Sequence, residues 1–366
     1  MPSHAKHSDA PSLKGRGAVS NSESRRFNMP SREADGDWLD SLALEELPLP
    51  KLRTEVTIEH PKSILSFNAS PDLPFDRSIN AYRGCEHGCV YCYARPTHAY
   101  HDLSPGLDFE TRLFAKPDAA KLLRQTLARP SYNPTPIALG TNTDPYQPIE
   151  KDYRITREIL NVMEETSHPV AITTKSNRIV DDLDILQKLA KRDLVAVAIS
   201  VTSLDRHIHR LLEPRAPSAI KRLDAVRQLS EAGVYVHVNI APIVPAITDH
   251  EIESITKAAA AKGASSLSII PLRLPHEVAP LFEEWLESHF PDRKDKVMNT
   301  IASMRGGKRN DPRFHERMRG SGPWARLLHQ RTQIAVRKHG LGTSKFTLRT
   351  DLFKRPILPG SQMELF

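Results

Sequence analysis

The chain has 366 residues, 39% of them hydrophobic, a formal net charge of +7 and three cysteines, so it can bury a sizeable core as one large domain with appendages. No apolar run is long enough to span a bilayer, and the start MPSHAKHSDAPSLKGRG lacks the apolar centre of a secretory signal, so no membrane partner is expected and the expected location is cytoplasmic. An odd number of cysteines in such a chain speaks against a disulfide framework and for metal binding or thiol chemistry.

Residues 1–44 are rich in Ser, Pro, Gly and charge, without apolar periodicity, and are expected to form a disordered tail. Residues 45–78 are punctuated by proline and read as an extended wrap. From 79 to 275 short β-branched runs alternate with helical stretches. The strand runs are SINAY (78–82), PIALGT (136–141), PVAITTKS (169–176), LVAVAISVTS (194–203), VYVHVNIAPIV (234–244) and SLSIIPLRL (266–274). Between them RITREILNVMEET, DDLDILQKLAKR, AIKRLDAVRQLSEAG and DHEIESITKAAAAKG carry helical periodicity. This alternation predicts an α/β fold with a parallel sheet, and doubly apolar strands predict one covered on both faces or rolled into a barrel. About six strands are fewer than a closed TIM barrel needs. No glycine-rich nucleotide loop follows any strand. Residues 276–366 form a basic extension: between Ile301 and Arg355 stand 14 Lys and Arg against 3 Asp and Glu. Such a segment can attract nucleic acid through counterion release, or can simply be a solvated basic helix such as RLLHQRTQIAVRKHG.

In parallel α/β architectures ligands gather at the carboxy ends of the strands. Here those ends are polar: Thr141, Asn142, Thr143 and Asp144; Thr173, Thr174, Lys175 and Ser176; Ser200 and Thr202; Asn239; Arg273. After the first strand comes CEHGCVYC, which holds Cys85, Cys89 and Cys92 within eight positions. A structural zinc takes four ligands, and the loop offers three plus His87. A cubane of four irons suits three thiolates better, because one iron is then left open to a ligand that is not protein.

Cys85, Cys89 and Cys92, with the aromatic Tyr91 just before the last cysteine, resemble the signature of the radical S-adenosylmethionine superfamily. That resemblance implies a partial (β/α)6 TIM-like barrel over 79–275, a 4Fe–4S cluster on the three cysteines, and S-adenosylmethionine chelated at the open iron. It further implies a reductant such as flavodoxin or ferredoxin, and a 5′-deoxyadenosyl radical that takes a hydrogen atom from a substrate. Over residues 75–275, GCEHGCVYCYARPTH and the strand ends TNTD, TTKS, AISVTS and NIAPIVP are similar to spore photoproduct lyase and bacterial proteins grouped with it. By position, Tyr91 would lie against the adenine, Thr143 near the methionyl group, Lys175 on a carboxylate or ribose oxygen, and Ser200 with the backbone at Ala241 would complete the pocket. Tyr93, matched by a tyrosine of the lyase, is the catalytic candidate. The lyase's additional cysteine, which returns a hydrogen atom to the repaired thymine, aligns with Thr141, and no thiol is left over for that role.

His98 and His101 are candidates for proton transfer or for the substrate entrance, and Asp144 for a ribose hydroxyl. Arg313, Arg317, Arg319, Trp324 and Arg326 alternate cations and rings in a way that suits nucleic acid, or a closing helix with arginines in water. Two functions follow: a radical enzyme on an unknown substrate, with nucleic acid as the candidate, or a non-catalytic iron–sulfur or zinc protein that binds nucleic acid through its basic end.

Overall fold

The alternating strand and helix text folds into one mostly parallel sheet. The computed structural model describes residues 15–21, 24, 26, 52–342 and 346–358. Most of the expected tail, residues 45–51 of the wrap and the last residues of the extension lie outside the described residues. Strands β1 (Glu55–Ile58), β2 (Leu65–Phe67), β3 (Arg77–Ile79), β4 (Tyr82–Arg83), β5 (Arg112–Ala115), β6 (Ile137–Leu139), β7 (Val170–Thr174), β8 (Val195–Ser200), β9 (Tyr235–Ile243) and β10 (Ser266–Pro271) build two sheets. In the larger, the order β10-β9-β8-β7-β6-β3-β2 keeps six strands parallel and adds β2 antiparallel at one edge. The two end strands do not pair with each other, so the sheet is open. In the smaller, β1 lies parallel and β4 antiparallel to β5, so the extended wrap contributes β1 to the smaller sheet and β2 with the start of β3 to the larger.

The strands are less uniformly apolar than their text implies. Ile172 on β7, Val195, Val197 and Ile199 on β8, and Val236, Val238 and Ile240 on β9 are buried in the main core. They pack with Ile159 and Met163 of α2 (Ile155–Glu165), the helix that follows α1 (Ala119–Leu127), with Leu186 of α3 (Leu183–Ala190), and with Val226 of a later helix, Ala219–Glu231. Each such side chain contributes about 1.5–3 kcal/mol on burial. The opposite face carries small residues in register: Ala138, Ala171 and Ala196 in one row, Thr173 and Ala198 in the next. Ala171, Ala196 and Ala198 are only half-buried and Thr173 is exposed, which corrects the expectation of doubly apolar strands and leaves room above the sheet.

After β8 come α4 (Arg206–Leu212) and α5 (Ala219–Glu231); after β9, α6 (Ile252–Ala261); and after β10, α7 (Val278–His289), α8 (Lys294–Met304) and α9 (Gly322–Lys338). A second core joins Phe282, Trp285 and Leu286 of α7 and Val297 and Ile301 of α8 to Val90 and Tyr91 of the cysteine loop. The carboxy-terminal helices therefore brace the loop rather than trail from the domain. Among the described residues no helix is long and apolar enough to cross a membrane.

Residues 15–21 depart from the expected disordered tail. Gly17 and Ala18 donate backbone N–H bonds of 3.0 and 2.9 Å to the carboxylate of buried Glu110, while Arg16 reaches the carbonyls of Glu110 and Leu52. Gly17 lies so close to the cysteine loop that a Cβ there would stand 1.7 Å from the Gly88 carbonyl oxygen, so only glycine fits. This segment is a strap across the loop, held by backbone and Arg16 hydrogen bonds and by the buried Ala18.

Candidate functional site

The cysteine loop leaves β4 and is tied down at nearly every turn. Cys85 N–H donates to Phe109 O at 2.9 Å and Val90 N–H to Leu212 O at 3.2 Å, and the Gln147 amide bridges Glu86 N–H (2.9 Å) and Gly84 O (3.2 Å). Gly88 sits at φ 67°, left-handed backbone that favours glycine. Arg95, fully buried, donates to the carbonyls of Cys89 (2.9 Å), Pro105 (3.1 Å) and Gly106 (2.7 Å) and pairs with Glu110 at 2.5 Å. The loop backbone is thus fixed by the protein's own hydrogen bonds.

Its three thiols are unbridged; Cys85 and Cys89 are buried and Cys92 is half-buried. Burial pushes the Cys89 thiol up to about 12 and Cys85 well above its ordinary range, with Lys175 opposing the rise at Cys89. A metal centre takes cysteines as thiolates, so its positive charge would have to offset this cost of burial. Among the described residues no three His, Cys, Asp or Glu converge closely enough to hold a metal ion. Three thiolates leave one iron of a cubane open to a ligand that is not protein, so three cysteines fit a 4Fe–4S cluster, whereas a structural zinc takes four ligands. His87, buried, does not join the thiols: its Nδ1 faces Asp144 Oδ2 at 3.4 Å.

Lys175 follows β7 and sets its ammonium 5.8 Å from the Tyr91 ring centroid. Burial works against its charge, but Cys89 and Glu213 outweigh that and hold it above the ordinary lysine range. Asp144 orients this strand end. Its carboxylate accepts from Thr174 Oγ1 (2.6 Å) and the Lys175 N–H (2.7 Å), and despite burial His87 and these bonds bring it down to about 2. The Tyr91 hydroxyl donates to Glu213, which also accepts from Thr202 Oγ1 (2.7 Å) and Arg222. Arg222 in turn donates to Ser200 O at 2.9 Å, and Thr202 lies 3.1 Å from Ala241 O. One buried network therefore joins Tyr91, Ser200 and Ala241 and stands beside Cys89 and Lys175. Glu213 and Arg222 carry no spacing signal in LLEPRAPSAIKR, and the sequence reading missed them.

Thr143 is buried, with Oγ1 donating to Tyr82 O at 3.2 Å. Tyr93 is 45% exposed; its hydroxyl donates to the Thr141 carbonyl and the Arg273 guanidinium lies 4.8 Å over its ring. Thr141 Oγ1 is bonded to Asn80 at 3.2 Å. His98 is a packing group instead of a site group: wholly buried, edge-on to Phe109 and donating to Arg112 O at 2.8 Å, with burial lowering its pKa to about 4. His101 packs on Phe114. In the basic extension Arg313 pairs with Asp311 and Arg317 with Asp72, while Trp324 packs on both cores. Arg326 is exposed, and Arg319 lines a cavity beside Tyr235 and Arg337.

Residues 79–259 match the family profile described as Radical SAM superfamily. An uncharacterised protein of Mycobacterium tuberculosis is 37% identical over 222 residues, which cover 60% of this chain and 65% of that protein. The chain thus spans a little under two thirds of that relative's length. A radical SAM Nalpha-GlyT isomerase of Pseudomonas phage M6 is 24% identical over 224 residues, 59% of this chain and 43% of its own. Among solved structures, spore photoproduct lyase complexed with dinucleoside spore photoproduct superposes with a TM-score of 0.55 at 16% identity, over 78% of this chain and 79% of the lyase. The chain is therefore a member of the radical S-adenosylmethionine superfamily, with a fold that resembles spore photoproduct lyase.

Proposed function

We propose that this chain is a radical S-adenosylmethionine enzyme in which Cys85, Cys89 and Cys92 hold a 4Fe–4S cluster and Lys175 receives the carboxylate or a ribose oxygen of S-adenosylmethionine. Enzymes of the superfamily use both cofactors. The observation that carries the reading is the juxtaposition of buried, unbridged Cys89 and the Tyr91 ring, in the loop after β4, with the Lys175 ammonium at the end of β7. A structural metal loop needs no such cation. When bound, the cluster supplies the electron for reductive cleavage of S-adenosylmethionine and so the means to abstract a hydrogen atom. The protein's own part is orientation and the exclusion of water. Lys175 offers a charge-assisted donor, Glu213 fixes the Tyr91 ring, and the strap with α4 shields the loop.

The substrate we favour is nucleic acid or a nucleobase derivative. The fold likeness to a lyase solved with a dinucleoside, the exposed Arg326 and the small-residue face above the sheet support it. Repair by the lyase's own route is disfavoured: Thr141 stands where that enzyme has its hydrogen-donating cysteine, and a threonine O–H bond is too strong for the task. Tyr93, with its hydroxyl tied to Thr141 O, is left as the candidate at that edge. A cytoplasmic location and a reductant such as flavodoxin or ferredoxin go with this reading.

The test is anaerobic reconstitution with iron and sulfide, then dithionite and S-adenosylmethionine, with 5′-deoxyadenosine quantified with and without thymine-dimer-containing DNA. Formation without DNA is the expected result, and stimulation by DNA would locate the substrate. A fully loaded cluster that yields none would turn the reading to a non-catalytic iron–sulfur protein. Lys175→Ala is expected to keep the cluster and weaken S-adenosylmethionine binding about 10- to 100-fold, the worth of one charge-assisted hydrogen bond. An unchanged affinity in a calorimetric titration removes Lys175 from the site.

A further inference from the structure

On one side, the cysteine loop is covered by α4 and the turn that follows it. The carboxy end of α4 accepts the Val90 N–H at Leu212 O, Arg215 N–H donates to His87 O at 3.3 Å, and the Pro214 ring lies beside Gly88. What this layer turns outward is basic. Arg206, His207, Arg210, Arg215 and Lys221 are exposed. The acids of residues 205–221 are Asp205, which caps α4 by accepting the N–H of His207 (2.7 Å) and Ile208 (3.0 Å), and Glu213, buried in the network behind Tyr91. Arg215 pairs with Glu86 at 3.0 Å, but Arg206, Arg210 and Lys221 have no ion pair among the described residues. The strap brings Arg16 into the same field: burial and, next, the nearby Arg215 lower its pKa. Ile220, 62% exposed, puts an apolar side chain among these cations.

Unpaired like charges repel one another and add nothing to the fold, so their concentration here calls for an anionic partner. Nucleic acid would also meet a basic face, but this one is hydrogen-bonded directly to the cysteine loop through Leu212 O and the Arg215 N–H, so a carrier docked here stands against the loop that would hold the cluster. We propose that the face formed by α4, the turn after it and the first turn of α5 docks an acidic protein that delivers single electrons to the cluster; this rests on the reading of the site as a radical S-adenosylmethionine centre. Each docking event passes one electron, the carrier being oxidised and the cluster reduced by one.

The test compares the full chain with R206E/R210E/K221E, each reconstituted and supplied either with dithionite, which needs no docking face, or with reduced flavodoxin, an acidic one-electron carrier. The expected result is unchanged iron content, dithionite-driven 5′-deoxyadenosine formation within about twofold, and a KM for flavodoxin raised at least about tenfold. The wild-type KM should also rise steeply with salt, and that of the variant should not. Should the reversed charges impair folding, R206Q/R210Q/K221Q is expected to give an intermediate KM. Equal KM values for wild type and variant overturn the docking face alone. So does a wild-type chain that turns over with dithionite but with neither flavodoxin nor ferredoxin. So does a variant that loses affinity for DNA while its carrier KM is unchanged, which would make the face a nucleic-acid surface. No deoxyadenosine from dithionite overturns the underlying site reading instead.

Discussion

Cys89→Ala is expected to abolish cluster assembly while leaving the unloaded chain folded. Burial pushes the Cys89 thiol up to about 12, so without a cluster the substitution removes no charge at neutral pH and opens only a small void. Loss of one buried heavy atom costs about 1 kcal/mol. The loaded state is different in kind, because three thiolates are all the ligands the loop has, and the backbone that presents them is fixed by Arg95, Gln147 and the contact with α4. Two remaining thiols leave a second iron without a protein ligand. Iron and sulfide content and the brown charge-transfer absorption should fall to background after anaerobic reconstitution, and the urea midpoint of the apo form should barely move. A full cubane absorption in the variant would remove Cys89 as a ligand, and a collapsed apo midpoint would mean that its role is in packing.

That loop was readable from the sequence because its chemistry resides in residue type and spacing, which survive without any knowledge of the fold. The six parallel strands were readable for a related reason: β-branched runs and helical periodicity are local, and five of the observed strands sit inside the predicted runs while β3 starts one residue before its own. What stayed hidden depends on partners distant in sequence. In VAVAIS the alanines read as apolar, yet Ala196 and Ala198 line the half-exposed face, since alanine is too small to declare a side. Strands β1 and β2, four and three residues long, owe their existence to pairing with β5 and β3. Gly17 and Ala18 have no apolar signal because Glu110, more than ninety positions away, holds them through their backbone. Part of the basic extension is likewise defined by partners that the sequence does not show. Arg305 is buried and spends its guanidinium on the carbonyls of Glu316 (2.9 Å) and Arg317 (2.8 Å), closing the chain on itself.

Glu213 is where a residue without sequence signal should have the largest effect on stability. Its carboxylate is fully buried and held well below the ordinary range; burial opposes the charge, but Arg222 outweighs it, with His209 and Lys175 adding to the effect. The pair therefore contributes above the unfolded carboxylate pKa and is lost only as pH falls through the depressed value, so it is intact throughout the neutral range. Glu213→Leu leaves Arg222, 1% exposed, as an uncompensated buried cation, and the expected cost is about 3–5 kcal/mol in urea unfolding. Adding Arg222→Met removes the stranded charge and should restore most of that loss, because a buried pair replaced by apolar groups of similar volume is often close to neutral. The double variant should nevertheless bind S-adenosylmethionine poorly, since the Tyr91 hydroxyl has lost its acceptor and the chain from Arg222 to the Ser200 carbonyl is gone. Recovered stability with unrecovered affinity would mark Glu213 as a positioning residue for the pocket. Recovery of both would make the network structural alone, and would leave Tyr91 to be held in place by the second core through Val90 and Leu212.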